Sequence, residues 1–330
     1  MSTYLKSLQT GLHFIFETYP EAVLLGEDIL DPYGGAFKVS LGLSTKYKER
    51  IITTPISESS IIGVANGLAL RGLKPIAEIM FGDFLTLCAD QIINHAAKFK
   101  RMYNDKVVVP LVIRTPMGGG RGYGPTHSQS LEKFFLGVPH LKVIAPSHLH
   151  NPGELLKHCI KTEKQPVLFI EHKLLYPLNL QEEGVSLEED VSGYPTAIYR
   201  NYDANKQKPD VTIVSYGGIS RLIVPLMKDL EAEEIRILAV FPACIKPLPI
   251  NSILHACELA GSVIIVEEGT ESFNWGSEVS SIIYTQLWQK LRNPIQRLSS
   301  ESDIIPTSSE LEDKMLISSN DIKEAIFKFI

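Results

Sequence analysis

Glu58 is the first residue that could carry chemistry, because it stands where a helix is predicted to begin. Residues 54–63 lead into apolar positions at helical spacing, Pro55 ends the preceding run, and Ser57 is placed to cap the new helix. The positive end of the helix dipole favours a carboxylate in the first turn. Such a carboxylate could hold or transfer a proton, although it is explained more simply as a stabilising first-turn residue.

His127 is the second candidate, and it lies in a loop that is rich in glycine. Residues 114–130 follow a strongly apolar stretch and include five glycines within seven residues. Glycine loses the most backbone freedom on folding, so such a loop is accepted where the backbone must approach a ligand or a partner closely. Hydroxyl and amide side chains flank His127, which makes it the best proton-transfer candidate of the nine histidines. A histidine exposed on a surface loop is the alternative.

Short apolar strands alternate with helices through the first half of the chain and would position both candidates. Strands are predicted at residues 22–25, 75–80, 107–113, 141–145 and 166–170, and the clearest helix is predicted at 83–103. Near-continuous apolar strands joined by helices indicate an α/β fold with a mostly parallel sheet covered on both faces. Loops at the strand ends of such a sheet carry the sites.

The alternation lapses at residues 178–209 and then restarts. Strands are predicted at 211–216, 235–240 and 263–266, with helices at 250–259 and 276–291. A chain of 330 residues is expected to form two domains. We therefore expect a first α/β domain at 1–177, a linker at 178–209 and a second, smaller α/β domain at 210–330.

The composition argues against several classes of protein. Lys and Arg number 32 against 38 Asp and Glu, the formal charge is −6 and no long basic block occurs, so no nucleic-acid partner is expected. Apolar runs fall short of the ~18 residues that span a bilayer, and the N-terminal residues lack a secretory pattern, so a cytoplasmic protein without a membrane partner is expected. The four cysteines are scattered, and we expect no metal ligand in this chain.

Six motifs occur in the order and at the spacing of a known family. They are Leu-Gly-Glu-Asp-Ile at 25–29, Gly-Gly-Ala-Phe-Lys-Val-Ser at 34–40, Thr-Pro-Ile-Ser-Glu at 54–58, Ile-Ala-Glu-Ile-Met-Phe at 76–81, Asp-Gln-Ile-Ile-Asn-His-Ala-Ala-Lys at 90–98 and Thr-His-Ser-Gln at 126–129. The chain thereby resembles the β subunits of thiamine-diphosphate-dependent 2-oxo-acid dehydrogenases of the pyruvate and branched-chain type, in the transketolase-like superfamily. The resemblance covers essentially the whole chain and is stronger before about residue 176 than after it.

The resemblance implies a pyrimidine-binding domain followed by a transketolase C-terminal-like domain. It implies that Glu58 contacts the aminopyrimidine ring of thiamine diphosphate, where a carboxylate favours the tautomer that activates the cofactor. Phe81 and Phe84 fall where the family places aromatic side chains against that ring. His127 matches the family histidine that stabilises intermediates and transfers protons during acyl transfer to lipoamide. The expected substrate-pocket residues are Met117, Arg114 and Tyr123.

The resemblance also implies a partner. Relatives that hold the diphosphate carry Gly-Asp-Gly and a later asparagine that bind magnesium, whereas Gly82-Asp83 is followed here by Phe84. Thiamine diphosphate would therefore be shared with a separate α subunit that holds the magnesium, in an α2β2 assembly that is active only when both chains are present. A lipoyl acyltransferase is a further expected partner. Residues 159–166 lack the two side chains of the family's potassium segment, so the resemblance does not carry a potassium site over.

The implied function is decarboxylation of a 2-oxo acid and transfer of the acyl group to lipoamide. Residues 241–249 and 268–276 depart from the family pattern, which leaves open a stand-alone biosynthetic carboligase or transketolase-like subunit. A non-catalytic scaffold subunit is a second alternative, and the presence of Glu58 and His127 argues against it.

Overall fold

The first compact unit is built on a parallel sheet of buried aliphatic strands. The computed structural model describes residues 2–189 and 192–330, and this unit contains the residues up to Met117, Phe134–Ile144 and Asn151–Asn179. Its strands are β1 (Ala22–Gly26), β2 (Ile51–Thr53), β3 (Lys74–Glu78), β4 (Val112–Met117), β5 (Lys142–Ile144) and β6 (Val167–His172), in the spatial order β5-β6-β4-β3-β1-β2. All pairings are parallel. β1, β4 and β6 are buried along their whole length, as expected for strands covered on both faces.

Two helices of this unit are in backbone contact where they cross. The helices up to residue 162 are α1 (Tyr4–Thr18), α2 (Leu43–Lys46), α3 (Glu58–Leu70), α4 (Phe99–Met102), α5 (Lys133–Leu136) and α6 (Pro152–Thr162). A Cβ atom on Gly11 of α1 would lie 2.7 Å from Cα of Gly153 in α6, and one on Gly153 would overlap the carbonyl oxygen of Ser7. The Ser7 hydroxyl accepts the Gly153 N–H at 2.9 Å. The two glycines therefore set the separation of α1 and α6.

The predicted regular helix at 83–103 is wrong. The segment consists of a 3₁₀ helix at Gly82–Cys88, a π-helix at Gln91–Ala96 and the short α4. The Asn66 side chain, from the neighbouring α3, donates a hydrogen bond to the Gln91 carbonyl oxygen at 2.9 Å, where the type of helix changes. Apolar spacing is similar in the three kinds of helix, so periodicity did not distinguish them.

The second compact unit contains a mixed sheet. It comprises the described residues of Gly118–Lys133, Ala145–His150 and Leu180–Ile330. Its strands are β7 (Val185–Glu188), β8 (Thr196–Arg200), β9 (Val211–Ser215), β10 (Ile237–Pro242), β11 (Cys244–Lys246), β12 (Val263–Thr270) and β13 (Gln296–Ser300). Six of them form a sheet in the order β13-β12-β9-β10-β8-β7, in which β8 pairs antiparallel with both β10 and β7 and the other pairings are parallel.

Four helices of the second unit pack against this sheet, namely α7 (Ser220–Glu231), α8 (Ile250–Ala260), α9 (Trp275–Leu287) and α11 (Ser319–Phe327). The short α10 (Ser309–Met315) precedes α11 and buries Glu312. One buried cluster joins residues of β9, α7, β12 and α11, among them Ile213, Leu230, Ile264 and Ile326. In the described part of the chain, no helix is both long enough and apolar enough to cross a membrane.

The predicted linker at 178–209 is partly strand, since it contains β7 and β8. Asp190 and Val191, which fall within it, lie outside the described residues. The two compact units are not continuous in sequence. Gly118–Lys133 and Ala145–His150, from the first half of the chain, belong to the second unit. The loop that carries His127 therefore belongs to the second unit. The predicted boundaries at 177 and 210 stay a prediction.

Candidate active site

Glu58 is buried at the start of α3. Its side chain is in the first helical turn, as predicted, and the residue is 5% exposed. The predicted capping hydrogen bond of Ser57 is absent, because the Ser57 hydroxyl donates instead to the Ser60 hydroxyl oxygen at 2.9 Å. Within residues 2–189 and 192–330, no hydrogen bond or ion pair reaches the Glu58 carboxylate. A buried carboxylate without a donor in its own chain is a group that a ligand could satisfy.

Glu27 follows β1 and lies close enough to Glu58 for their charges to interact. Burial raises the pKa of Glu27, the negative charges of Glu58 and Asp28 raise it further, and a hydrogen bond from the Ser57 backbone opposes them. Glu27 is buried, and its Oε1 atom has no hydrogen-bond partner among the described residues. When two carboxyls share a buried site, one of them tends to keep a proton. The pair can therefore hold one proton at the start of α3.

Phe81 and Phe84 form a half-buried aromatic pair on the segment that packs against α3. Their ring centroids are 5.9 Å apart and the rings are nearly perpendicular, at 77°. Phe37 contacts Phe81 edge-on at 6.1 Å, and the Lys173 ammonium lies 5.3 Å from the centroid of the Phe81 ring. Perpendicular rings of this kind can hold a flat heteroaromatic group by stacking and edge contacts.

Cys88 and Met117 are buried residues that neighbour Glu58 and Gly82, respectively. Burial, with the nearby charge of Glu58, raises the pKa of the Cys88 thiol to about 12, so the thiol stays protonated near neutral pH. Met117 is buried at the end of β4, and a Cβ atom on Gly82 would lie 2.6 Å from its Cε atom. Glycine at position 82 thus lets the methionine side chain approach the backbone.

Arg114 lies in β4 and not in the loop as predicted, because the strand continues to Met117. Its guanidinium is buried and donates from Nε and Nη2 to the Glu171 carboxylate at 2.7 and 2.8 Å, and from Nη1 to Glu78 at 2.8 Å. Tyr176 also donates to Glu171, at 2.8 Å. The expected role of Arg114 in a substrate pocket stays a prediction, and its two carboxylate partners argue against it.

His127 and Tyr123 lie on the loop of the second unit. Four glycines of this loop have left-handed backbone angles, at Gly118, Gly120, Gly122 and Gly124. His127 is half-buried, and its Nδ1 atom is 2.9 Å from the Thr126 hydroxyl. Tyr123 is 43% exposed, and the Arg121 guanidinium lies 5.6 Å from the centroid of its ring. The structure thus groups Glu58, Phe81 and Phe84 in the first unit, and His127 and Tyr123 in the second.

Several contacts to these residues come from positions that sequence reasoning missed. Phe37 falls within the motif at 34–40, which was a usable signal, whereas nothing in the sequence singled out Lys173. The hydrogen bonds that Glu268 and Glu312 accept from the glycine-rich loop were also unforeseen. Each of these pairings joins residues far apart in the chain, which periodicity does not report.

Comparison with known proteins matches both halves of the chain. The family model described as "Transketolase, pyrimidine binding domain" matches residues 1–179, and the one described as "Transketolase, C-terminal domain" matches residues 201–322. The chain belongs to the transketolase-like family. The predicted fold class, an α/β pyrimidine-type domain followed by a transketolase C-terminal-like domain, is confirmed.

Relatives of this transketolase-like chain are named as β subunits. It is 34% identical over 318 residues to the acetoin:2,6-dichlorophenolindophenol oxidoreductase subunit beta of Cupriavidus necator, which covers 94% of this chain and 91% of that one. It is 32% identical over 326 residues to the 2-oxoisovalerate dehydrogenase subunit beta of Bacillus subtilis, with 98% and 97% covered. It is 36% identical over 309 residues to the pyruvate dehydrogenase E1 component subunit beta of Porphyra purpurea, with 92% and 89% covered. The predicted membership of this β-subunit family is confirmed.

A solved structure also shares the fold of this transketolase-like chain. The chain described as "Split gene transketolase, inactive beta4 tetramer" matches with a TM-score of 0.71 and 20% sequence identity, and the match covers 98% of this chain and 96% of that one. At this identity the likeness concerns the fold alone.

Proposed function

We propose that this chain is the β subunit of a thiamine-diphosphate-dependent enzyme that decarboxylates a 2-oxo acid and transfers the acyl group to lipoamide. One observation carries the proposal. A chain that matches β subunits over nearly its whole length also buries the Glu58 carboxylate at a helix start, without a donor among its own described residues. The carboxylate is thus available to a ligand that brings a donor.

The residues around Glu58 fit the aminopyrimidine ring of the cofactor. When bound, thiamine diphosphate supplies an electron sink for the carbon atom that loses carbon dioxide. Glu58 would meet a hydrogen-bond donor of the ring with its carboxylate, and Glu27, whose pKa is raised by burial, would keep the one proton that the pair holds. Phe81 and Phe84 would bind the flat ring and keep water away from it.

His127 is proposed to hold or move a proton on the substrate side of the reaction. The contact between its Nδ1 atom and the Thr126 hydroxyl would fix the orientation of the imidazole ring. Met117 and Tyr123 remain proposed pocket residues. Tyr123 is the one whose side chain is partly exposed.

The diphosphate and its magnesium ion need residues that this sequence does not offer, since Gly82-Asp83 is followed by Phe84. We propose that a separate α subunit supplies them, that the two chains form an α2β2 assembly in the cytoplasm, and that a lipoyl acyltransferase receives the acyl group. A potassium ion is not part of the proposal.

Co-expression with an α-subunit chain that carries Gly-Asp-Gly tests the proposal. The native mass should fit α2β2, and reduction of dichlorophenolindophenol should require both chains, thiamine diphosphate, magnesium and a 2-oxo acid. Pyruvate and 2-oxoisovalerate are the first substrates to compare, because relatives carry both names. An assembled pair that decarboxylates no 2-oxo acid, or a full activity of this chain alone, would contradict the proposal.

Acetoin oxidation is a second candidate function. The acetoin relative is 34% identical, within the range of the two dehydrogenase subunits, so identity does not separate these substrates. The same Glu58 and His127 would serve either substrate. Acetoin therefore belongs in the substrate panel, and turnover of acetoin without any 2-oxo acid would favour this second function.

A further inference from the structure

We propose that Glu312 and Glu268 are positioning residues, which hold the glycine-rich loop in the conformation that places His127. The inference rests on the proposed function, because it concerns the residues that hold His127, the group proposed to transfer protons. All the residues concerned belong to the second unit.

Glu312, in α10, holds the first part of the loop by two hydrogen bonds. Its carboxylate oxygens accept the backbone N–H groups of Gly120 at 3.0 Å and of Gly122 at 2.7 Å. The residue has no exposed surface. Burying a carboxylate is costly unless donors replace the lost water, so the two amides and this side chain stabilise each other's position.

Glu268, in β12, holds the loop on both sides of His127. One oxygen of its carboxylate accepts the Gly119 N–H at 2.7 Å and the Ser130 hydroxyl at 3.0 Å. Together, Glu268 and Glu312 accept hydrogen bonds from three glycine amides before the histidine and from one hydroxyl group after it. The stretch that carries His127 is thus tied at both ends by charge-assisted hydrogen bonds.

Packing of the C-terminal segment supports the same conformation. A Cβ atom on Gly119 would lie 2.7 Å from Cδ1 of Leu316, and one on Gly124 would lie 2.7 Å from the Thr307 hydroxyl oxygen. With left-handed angles at Gly118, Gly120 and Gly122, the N–H groups of Gly120 and Gly122 point toward the same carboxylate, much as a backbone nest binds an anion. Here the anion is a side chain of the protein.

Such a support matters because the loop cannot order itself. Glycine has no side chain with which to pack, and five glycines in seven residues are costly to fix. A catalytic group that is misplaced by about 1 Å can lose about 100-fold in rate. The position of His127 therefore depends on carboxylates that lie far away in the sequence.

Replacement of Glu312 by glutamine tests the inference in the full-length chain and in the assembled enzyme. Glutamine keeps one acceptor oxygen but turns an NH2 group toward the second amide, so the loop loses a hydrogen bond and a charge. Trypsin reports the loop directly, because Arg121 is exposed and the bond after it contains the Gly122 N–H. We expect Glu312→Gln to speed cleavage after Arg121 at least tenfold.

The catalytic consequence is measured by a double-mutant cycle with His127. Carbon dioxide release from a 1-labelled 2-oxo acid, per bound thiamine diphosphate, should fall about tenfold in Glu312→Gln, with KM within twofold. In a His127→Ala background the same change should alter kcat less than twofold. A merely structural role would lower kcat by the same factor in both backgrounds.

Glu310→Gln is the matched control, because Glu310 lies on the same helix but is exposed and pairs with Lys314. It should change neither the cleavage rate nor kcat. If Glu312→Gln does not fold, Glu268→Gln, at a half-buried position, tests the same support by the same two readouts.

Three results would overturn the inference: cleavage after Arg121 that is no faster, faster cleavage with an unchanged kcat, or equal losses with and without His127. Failure of the proposed function is distinguishable from these. In that case the unmutated assembly has no decarboxylase activity, while the trypsin comparison still reports whether Glu312 holds the loop.

Discussion

The carboxyl pair at Glu27 and Glu58 brings two acids together in a place that supplies neither with a cation. In the portion of the chain that the structure describes, no ion pair reaches either residue. A proton on Glu27, whose pKa is raised by burial and by its acidic neighbours, removes the repulsion between them. Glu58 is then the member that a donor on a bound ligand would meet.

Glu58→Gln should therefore remove turnover while leaving the fold intact. Glutamine has the same shape but cannot take a proton, and positioned proton transfer is worth about 100-fold to 10,000-fold. We expect kcat of the assembled enzyme to fall at least about 100-fold, with an unchanged melting temperature. The control is Glu49→Gln, an exposed glutamate of the same unit. An activity within twofold of the unmutated enzyme would refute the role of Glu58.

A substitution at Arg114 can show whether this residue stabilises the fold or binds the substrate. Arg114→Met leaves Glu78 and Glu171 buried without their cation, which should cost about 3–5 kcal/mol of unfolding free energy, measured with urea. Arg101→Met, which breaks only an exposed ion pair with Asp105, should cost less than about 1 kcal/mol. If Arg114 instead bound substrate, the variant would keep its stability and raise KM.

At the scale of elements, the sequence predicted most strands of the first sheet closely, misplaced β4 and missed the short β2. β1, β3, β5 and β6 lie within about two residues of their predicted positions, because apolar runs bounded by polar residues mark buried parallel strands. β4 was predicted at 107–113 and is found at Val112–Met117. Its charged residue Arg114 suggested a loop, and only the distant Glu78 and Glu171 make a buried arginine acceptable there.

The candidate site likewise has a part that the sequence predicts and a part that it does not. Glu58, Phe81 and Phe84 stand in local motifs, so a chain read by itself could nominate them. The support of the His127 loop by Glu268 and Glu312 depends on tertiary contacts between segments that are far apart in sequence. Neither spacing nor composition carries that information.

The irregular helix after β3 gives an element-scale prediction. Asn66→Ala removes the donor to the Gln91 carbonyl oxygen at the start of the π-helix and should cost about 1–2 kcal/mol in urea unfolding followed by circular dichroism. Asn94→Ala is the control, because Asn94 is exposed on the same segment and its hydrogen bonds, to Asp90 and from Lys98, lie at the surface. It should cost less than about 0.5 kcal/mol. Equal costs would show that Asn66 has no special part in that segment.

At the scale of the whole molecule, three buried groups of the second unit make its stability depend on pH from both sides. Burial lowers the pKa of His148 and of His150 to about 4. Burial also raises the pKa of Glu267 to about 8, although the Gly276 N–H opposes this. The unfolded histidines gain protons below pH 6.5, so acid lowers the free energy of unfolding down to about pH 4. Unfolded Glu267 loses its proton near 4.5, so stability falls from there up to about pH 8.

These opposing slopes predict a maximum in the unfolding free energy at about pH 6.5. Above this pH the two histidines no longer change the stability with pH, whereas Glu267 still lowers it. Both tryptophans, Trp275 and Trp288, lie in the second unit, so their fluorescence during urea unfolding reports this unit. Glu267→Gln should remove roughly 1–2 kcal/mol of the decline between pH 6.5 and 8. His148→Gln should flatten only the acid side. A stability that changes in one direction from pH 4.5 to 8 would contradict this assignment.

The crossing of α1 and α6 limits how this protein can evolve. Gly11 and Gly153 touch backbone to backbone, so a larger residue on either helix forces the two apart. In most cores a damaging enlargement is rescued by a shrinking change in the residue opposite. Here the nearest atoms opposite belong to the backbone, of Gly153 for a side chain at position 11 and of Ser7 for one at position 153, so a smaller residue across the contact would not make room. Compensation would have to come from a shift of a whole helix, so we expect both positions to remain glycine.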